Sequence, residues 1–438
     1  MRTPIRLLKP FALSLLTVSS LVASIPARAQ NGTWNQISLA STPGPLREYG
    51  VAFDKGEQRL LLFDGFNGNT SGLYILFNNV WELSVAGTPT WTQIPVSGLL
   101  PGERHSPQWG YDEARNRVLI FGGYGKHYAT STYYEYLNDV WQLDLDGTPH
   151  WTEITPAGQA PSGRLAGAAV FDPLRQRFVG FGGTIGAPVD TWELNLQGNG
   201  NANWQNVSTN ADSPNGGWGM TSVYDAQGDR MLIFGGSTSD DYYGAKNDVW
   251  ELDLHGSPKW TQVATQGVAP KPRRSGAAVF DALRNRMIIY GGFDAVPGSD
   301  LFMGDTWALD FNTTPATWSQ LSPGGTVPPG RDGLPAGFDP IHDRMIVYGG
   351  WSGTYMLGDT QFLDFGSSTV EAALTPSSSA TPTSAHLDWT VDSATGTHAA
   401  VYRKAPGGLW TATGEGEVGA DGHLVYDDAA VTSGSTYS

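Results

Sequence analysis

The sequence predicts an all-β protein: a six-bladed β-propeller closed by its own N-terminal strand over residues 30–366, then a linker and a partial β-sandwich over 367–438. Three observations carry this. One grammar of strands and turns recurs six times, with glycine landmarks at Gly65, Gly123, Gly183, Gly236, Gly292 and Gly350, spaced 53 to 60 residues apart. Within each copy the apolar residues alternate with a period of two, never 3.6. One element of the repeat is out of step with the others, and that offset tells how the ring closes.

Each copy reads as an apolar strand ending in Asp, a tight turn, a second apolar strand ending in Gly-Gly, a variable loop, an Asp-x-Trp strand and a Trp strand. The third copy shows all of them: AGAAVFD at 166–172, RFVGFGG at 177–183, VDTWELN at 189–195 and NWQNV at 203–207. The first copy departs with Asp64-Gly65 in place of Gly-Gly. Four strands per copy and no helix leave radial blades as the arrangement that protects so many strand edges. The Trp strand occurs at Trp34, Trp91, Trp151, Trp204, Trp260 and Trp318, so its first instance precedes every glycine landmark. The sixth copy, ending at Asp359-Thr360-Gln361-Phe362, has none after it. The strand around Trp34 is therefore expected to complete the sixth blade.

The Gly-Gly pair, the Trp about 15 residues later and the repeat near 50 residues resemble the kelch family, within the galactose-oxidase-like central domain superfamily. The resemblance covers roughly residues 31–366 and implies a propeller whose loop face often binds a partner. The third-strand tryptophans (Trp81, Trp141, Trp192, Trp250, Trp307) are expected to wedge between blades. The turn motif Asp-x-x-x-x-Arg, as in Asp172 to Arg177, is expected to be a bridged hairpin.

The N-terminus reads as a cleaved signal peptide over 1–29: Arg2, Arg6 and Lys9, an apolar run from Phe11 to Val22, and Ala27-Arg28-Ala29 before the cut. A secreted protein follows, periplasmic, extracellular or at the cell surface, and no later segment is apolar enough to span a membrane. The chain carries a net charge of −16, and losing the four basic residues of that segment leaves 22 Lys+Arg against 42 Asp+Glu, or −20. So acidic a surface argues against nucleic acid as a partner. With no cysteine, disulfides and thiolate metal sites are excluded.

Candidate binding residues gather where the second-to-third-strand loops open. Arg104, Arg164, Arg273 and Arg331 each lie eight residues before the turn Asp; Arg47 sits one residue later in the first copy, and the fourth has Gly217-Trp218. The loops beside them carry Tyr124, His127, Tyr134, Tyr243 and Trp351. Unequal loops on a rigid ring are the usual place for recognition, and exposed aromatics suit sugars or peptides. If even two arginines are free, they form a cationic patch that prefers a carboxylated ligand. If they tie loops to neighbouring carboxylates and carbonyls, they are scaffold.

No catalytic site is expected. Some relatives implied by the resemblance are copper radical oxidases, which need a cysteine-tyrosine crosslink absent here; sialidase turns are absent too. Without paired His spacing, neither a metal nor another cofactor is expected. The function expected is a secreted or displayed binding module for a protein, peptide or glycan on the loop face. The alternative is an exported sugar-modifying enzyme, epimerase- or mutarotase-like, with His105, His127, Glu103 and Glu135 as the local acid–base groups.

Residues 367–385 are rich in Ser, Thr, Ala and Pro, and alternating segments follow at 385–392, 399–404, 409–414 and 423–428. This part resembles a fibronectin type III domain cut short, with Trp389 as its buried tryptophan and Tyr437 as its corner tyrosine.

Overall fold

The computed structural model describes residues 31–68, 74–183, 189–196, 202–208, 213–215, 217–238, 244–294 and 301–366, and the backbone of short strands between 372 and 428. The candidate Tyr243, the signal segment 1–29 and Tyr437 lie outside the described residues.

Six antiparallel sheets of four main strands form the blades. Blade 1 takes Gly50–Asp54, Arg59–Phe63, Val80–Ser84 and Thr90–Ile94, in that order from the axis outward. Blades 2 to 5 repeat the order, beginning at Gln108–Asp112, Ala168–Asp172, Thr221–Asp225 and Ala277–Asp281. The first strands are innermost, each packed against the next around a closed ring. Their small residues, Ala168 and Ala277 among them, allow that convergence.

Blade 6 is shared between the two ends of the propeller. Ala336–Asp339, Arg344–Trp351 and Met356–Asp364 supply its inner strands, and Thr33–Ile37 its outer one, with Trp34 opposite Leu363 and Ile37 opposite Thr360. In blades 2, 5 and 6 a further short parallel strand covers the outer edge: Ser97–Gly98, Thr265–Gly267 and Gly324–Gly325. These caps leave less open edge for another chain to pair with.

The core is divided into six clusters, one at each blade–blade seam. The third-strand tryptophans lie at these seams, as their apolar bulk predicts. The outer-strand tryptophans lie there too and are buried more evenly: Trp34, Trp91, Trp151, Trp204, Trp260 and Trp318 are all 5% exposed or less. Each leans back on the preceding blade. Trp91 donates to Thr360 Oγ1 at 2.9 Å, Trp260 to Thr191 Oγ1 at 2.9 Å, and Trp34 packs 4.7 Å from Tyr290 between ring centroids.

At the lower face all six hairpins are bridged as the turn motif predicts. Asp54–Arg59, Asp112–Arg117, Asp172–Arg177, Asp225–Arg230, Asp281–Arg286 and Asp339–Arg344 pair at 2.8 to 3.0 Å. At the upper face the Gly-Gly pairs are sterically required. A Cβ on Gly122 would lie 2.6 Å from the Arg164 carbonyl oxygen of the next blade. Asp64 occupies the corresponding place in blade 1 with φ 61°.

In the C-terminal segment, Ala385–Val391 pairs with Ala372–Leu374, Ser379–Ala380 and His423–Asp428, while His398–Lys404 and Trp410–Glu417 form a separate hairpin. Trp389 stands in register with Leu374 and Leu424.

Candidate functional site

The repeated arginines are not the site. Arg104, Arg164, Arg273 and Arg331 are 0 to 2% exposed, each within its own blade. Arg331 donates from Nη1 and Nη2 to the two carboxylate oxygens of Asp359 at 2.6 and 3.0 Å, and from Nη1 to the Gly349 carbonyl at 2.9 Å. Arg273 treats Asp305 and Gly291 alike. So does Arg104 with Asp139 and Gly122, and Arg164 binds Asp190 and Gly182. The cationic patch expected from their spacing is therefore corrected to a structural tie. A guanidinium out of water needs a carboxylate and carbonyls around it, and the third-strand Asp supplies the first. Burial alone would raise the carboxyls of Asp305 and Asp359; the bonds from Arg273 and Arg331 outweigh it and hold both below their usual range.

The third-strand Asp serves two elements at once. Asp139 and Asp305 also accept from the indole N–H of Trp141 and Trp307, at 2.7 and 2.6 Å, and Asp248, in the blade with Gly217 at the arginine position, accepts from Trp250 at 2.8 Å. In blade 6, Gln361 stands where the tryptophan would be and donates to Asp359 at 2.7 Å. Blade 1 replaces both partners together, with Leu46 for the arginine and Asn79 for the aspartate.

The next position along the chain carries the variation. It reads Arg47, His105, Leu165, Trp218, Arg274 and Asp332 in blades 1 to 6. In five blades it bridges, backbone to backbone, to the residue after the glycine pair: Arg47 to Phe66, His105 to Tyr124, Trp218 to Ser237, Arg274 to Phe293 and Asp332 to Trp351. Arg47 thus belongs to this column, not to the buried one.

One residue further, the six chains lock into a collar around the axis. Glu48 donates its N–H to Gly333, Gly333 to Ser275, Ser275 to Gly219, Gly219 to Ala166, Ala166 to Ser106 and Ser106 to Glu48, all at 2.7 to 2.9 Å. All six residues are left-handed, with φ from 51° to 69°, and four are not glycine. Such backbone costs about 1 kcal/mol per non-glycine residue and persists because the ring of bonds over-determines it. A channel cavity of about 160 Å³ lies at this collar, lined by Glu48, Ser106, Ser275 and the small first-strand residues.

Over blades 1 and 2 the collar opens into a pocket of about 450 Å³, lined by Arg47, Glu48, Phe66, Leu76, His105, Tyr124 and Tyr134. Glu48 is its hinge point. Its Oε2 lies 2.8 Å from His105 Nδ1 and accepts from Ser106 Oγ at 2.7 Å. Burial pushes the Glu48 carboxyl up, but the bonds and charges of His105 and Arg47 outweigh it and bring it down to about 2. With Nδ1 so held, His105 Nε2 meets no hydrogen-bond partner among the described residues. Arg47 lies 4.6 Å from the Phe66 ring centroid and 5.9 Å from that of Trp351, with Nη1 3.4 Å from Asp332 Oδ1. Burial raises the Asp332 carboxyl to about 6 despite Arg47.

The sequence candidates divide accordingly. Tyr124 and Tyr134 line the pocket, their near-parallel rings 6.3 Å apart, with Tyr136 edge-on to Tyr124 at 5.2 Å. Trp351 stands beside it against Arg47. His127 does not reach the pocket: it stacks on Tyr128 and pairs with Glu153 of blade 2's outer strand at 2.9 Å. Glu103 is taken by Lys126 at 2.7 Å. No group of three or more His, Asp or Glu able to hold a metal occurs among the described residues. Glu48, Phe66 and Leu76 are not among the sequence candidates: Glu48 stands in the collar, and Phe66 pairs with Leu76 in the loop of blade 1.

The profile of the KLHDC2/KLHL20/DRC7 Kelch-repeats domain matches this chain over residues 27–183, 113–332 and 173–396. The chain belongs to this kelch-repeat family. Among its kelch relatives, the host cell factor homolog hcf-1 of Caenorhabditis elegans is 27% identical over 376 residues, covering 76% of this chain and 44% of that protein. Acyl-CoA-binding domain-containing protein 4 of Arabidopsis thaliana is 26% identical over 270 residues, covering 59% and 37%. The flagellar outer arm dynein alpha chain of Chlamydomonas reinhardtii is 29% identical over 231 residues, covering 49% and 5%. The chain thus spans less than half the length of these relatives. The solved structure of YjhT shares the kelch propeller fold, with a TM-score of 0.54 at 16% identity over 74% of this chain and 95% of that one. Kelch repeats commonly form protein-interaction modules, and no helix among the described residues is long and apolar enough to cross a membrane.

Proposed function

We propose that this chain is an exported recognition module that holds a segment of a partner in the mouth over blades 6, 1 and 2. The observation behind it is the pocket of Arg47, Glu48, Phe66, Leu76, His105, Tyr124 and Tyr134, in which Arg47 and His105 come from the column that differs in residue type from blade to blade. A rigid collar below and aromatic walls above give a concave, pre-formed surface with few polar groups at fixed places. Export through residues 1–29, and a fibronectin type III-like unit at 367–438, are part of the same reading.

A second reading, acid–base chemistry on a sugar, draws on the Glu48–His105 pair. A carboxylate on Nδ1 orients the imidazole and leaves Nε2 as the atom that takes or gives a proton. Glycan and peptide arrays probed with the full chain and with His105→Ala and Tyr134→Ala variants test both. Binding lost in both variants, with the ligand unchanged by NMR, supports the module; a changed product supports the enzyme. Binding indifferent to both substitutions overturns the mouth as the site.

A further inference from the structure

With the four repeated arginines buried, the mouth does not carry the cationic patch that their spacing suggests, and carboxylates stand among its remaining charges. Glu48, Glu103, Glu135 and Asp332 stand around it with the permanent cations Arg47, Lys126 and Arg274, and His105 pairs with Glu48. Arg104, just beneath, is spent on Asp139. Glu48 Oε1 accepts no hydrogen bond among the described residues and lies 3.7 Å from Arg47 Nε.

The aromatic rim already shows what such a surface holds. Lys126 Nζ sits 5.0 Å from the Tyr134 ring centroid and 2.7 Å from Glu103 Oε1, so ring face and carboxylate together seat an ammonium group. Tyr133 and Tyr136 beside it are 64% and 53% exposed. The whole chain, at −16, draws positive charge toward it from a distance.

We propose that the mouth takes a basic, extended segment of a partner protein, presenting Lys or Arg to Glu48 and to the rings of Tyr124 and Tyr136, with Tyr134 as the wall behind them. This rests on the mouth being the recognition site and names the chemistry of what enters it. Ion pairing with Glu48 and cation–π contact with the tyrosines both favour a cation, while an acidic segment gains neither and meets the Glu48 carboxylate.

The test uses the full chain and three labelled peptides of one Gly-Ser background, basic, neutral and acidic, titrated by fluorescence anisotropy. The basic peptide should bind about tenfold tighter than the neutral one, and the advantage should shrink with added salt. Glu48→Gln and the exposed-site variant Tyr134→Ala should each weaken it about fivefold, and Glu57→Gln on the lower face should leave it unchanged. Equal weakening by Glu57→Gln would mean diffuse attraction to an acidic surface and would overturn the proposal. A neutral or acidic peptide that binds best and is lost in Tyr134→Ala would overturn the charge assignment while leaving the mouth as the recognition site. Peptide binding untouched by either mouth variant would overturn both.

Discussion

Glu48 and His105 meet at 2.8 Å across the seam between blades 1 and 2, and the same Glu48 carries two of the collar's six backbone bonds. One residue therefore joins the ring that holds the propeller shut to the pocket above it. Its carboxyl is depressed to about 2 from an ordinary 4.5, so the stability it contributes is fully present above pH 4.5 and is lost as pH falls toward 2. Glu48→Gln should cost about 2 kcal/mol at pH 7, after discounting for its partial exposure, and close to nothing at pH 2. Denaturant unfolding at the two pH values checks this.

Asp64 is a cost the other blades avoid. It is 1% exposed, neither carboxylate oxygen has a hydrogen-bond partner among the described residues, and burial raises its carboxyl to about 7, against the pull of Arg104. The ionised form is the penalised one, so the protein is unaffected below about pH 4 and loses stability as pH rises from 4 to 7. Asp64→Gly restores the glycine pair of the other blades and should stabilise by about 2 kcal/mol at pH 8, and by little at pH 4. Melting curves of the two proteins across that range read it directly.

The arginine ties predict a double-mutant cycle. Arg331→Leu alone strands Asp359 and should cost about 3 to 5 kcal/mol. Adding Asp359→Asn reproduces the Leu46/Asn79 combination of blade 1 and should recover about 2 kcal/mol. Additive losses in denaturant unfolding would show the pair is not coupled.

Closure predicts a larger loss. Removing residues 31–38 takes away the outer strand of blade 6 and bares the edge of Met356–Asp364, along with the Trp34–Tyr290 contact. The shortened chain should melt well below the parent and scatter light on warming, since an open edge is a template for association. A parent-like transition would contradict the closure.

The blades are legible in the sequence because each structural column recurs in four to six of the blades, and Trp34 exposes the closure because it is one count out of step. The same legibility misleads about the site. Arg104, Arg164, Arg273 and Arg331 stand out by recurring at one register, yet recurrence marks a structural tie that four of the six blades share. The column that varies is the adjacent one, with Arg47, His105, Leu165, Trp218, Arg274 and Asp332, where the bridges to the neighbouring strand made in five blades are backbone to backbone and leave the residue type open. The collar is hidden for another reason. Its bonds are backbone to backbone, so they leave no side-chain signature beyond small residues at Ser106, Ala166, Gly219, Ser275 and Gly333. The Glu48–His105 pair joins residues a full repeat apart, which no local spacing rule reports.

The recognition face itself is most directly tested by competition between the two ends of the channel. The lower face offers a rival surface, the exposed hairpin tips Leu174, Leu283 and Ile341. Peptides selected from a random library on the full chain are to be re-measured on a Phe66→Ala/Tyr134→Ala variant and on a Leu174→Ser/Leu283→Ser variant. The upper mouth as recognition site predicts that the first variant loses about tenfold or more in affinity and the second retains it. Binding that survives the first variant and is lost in the second would contradict it.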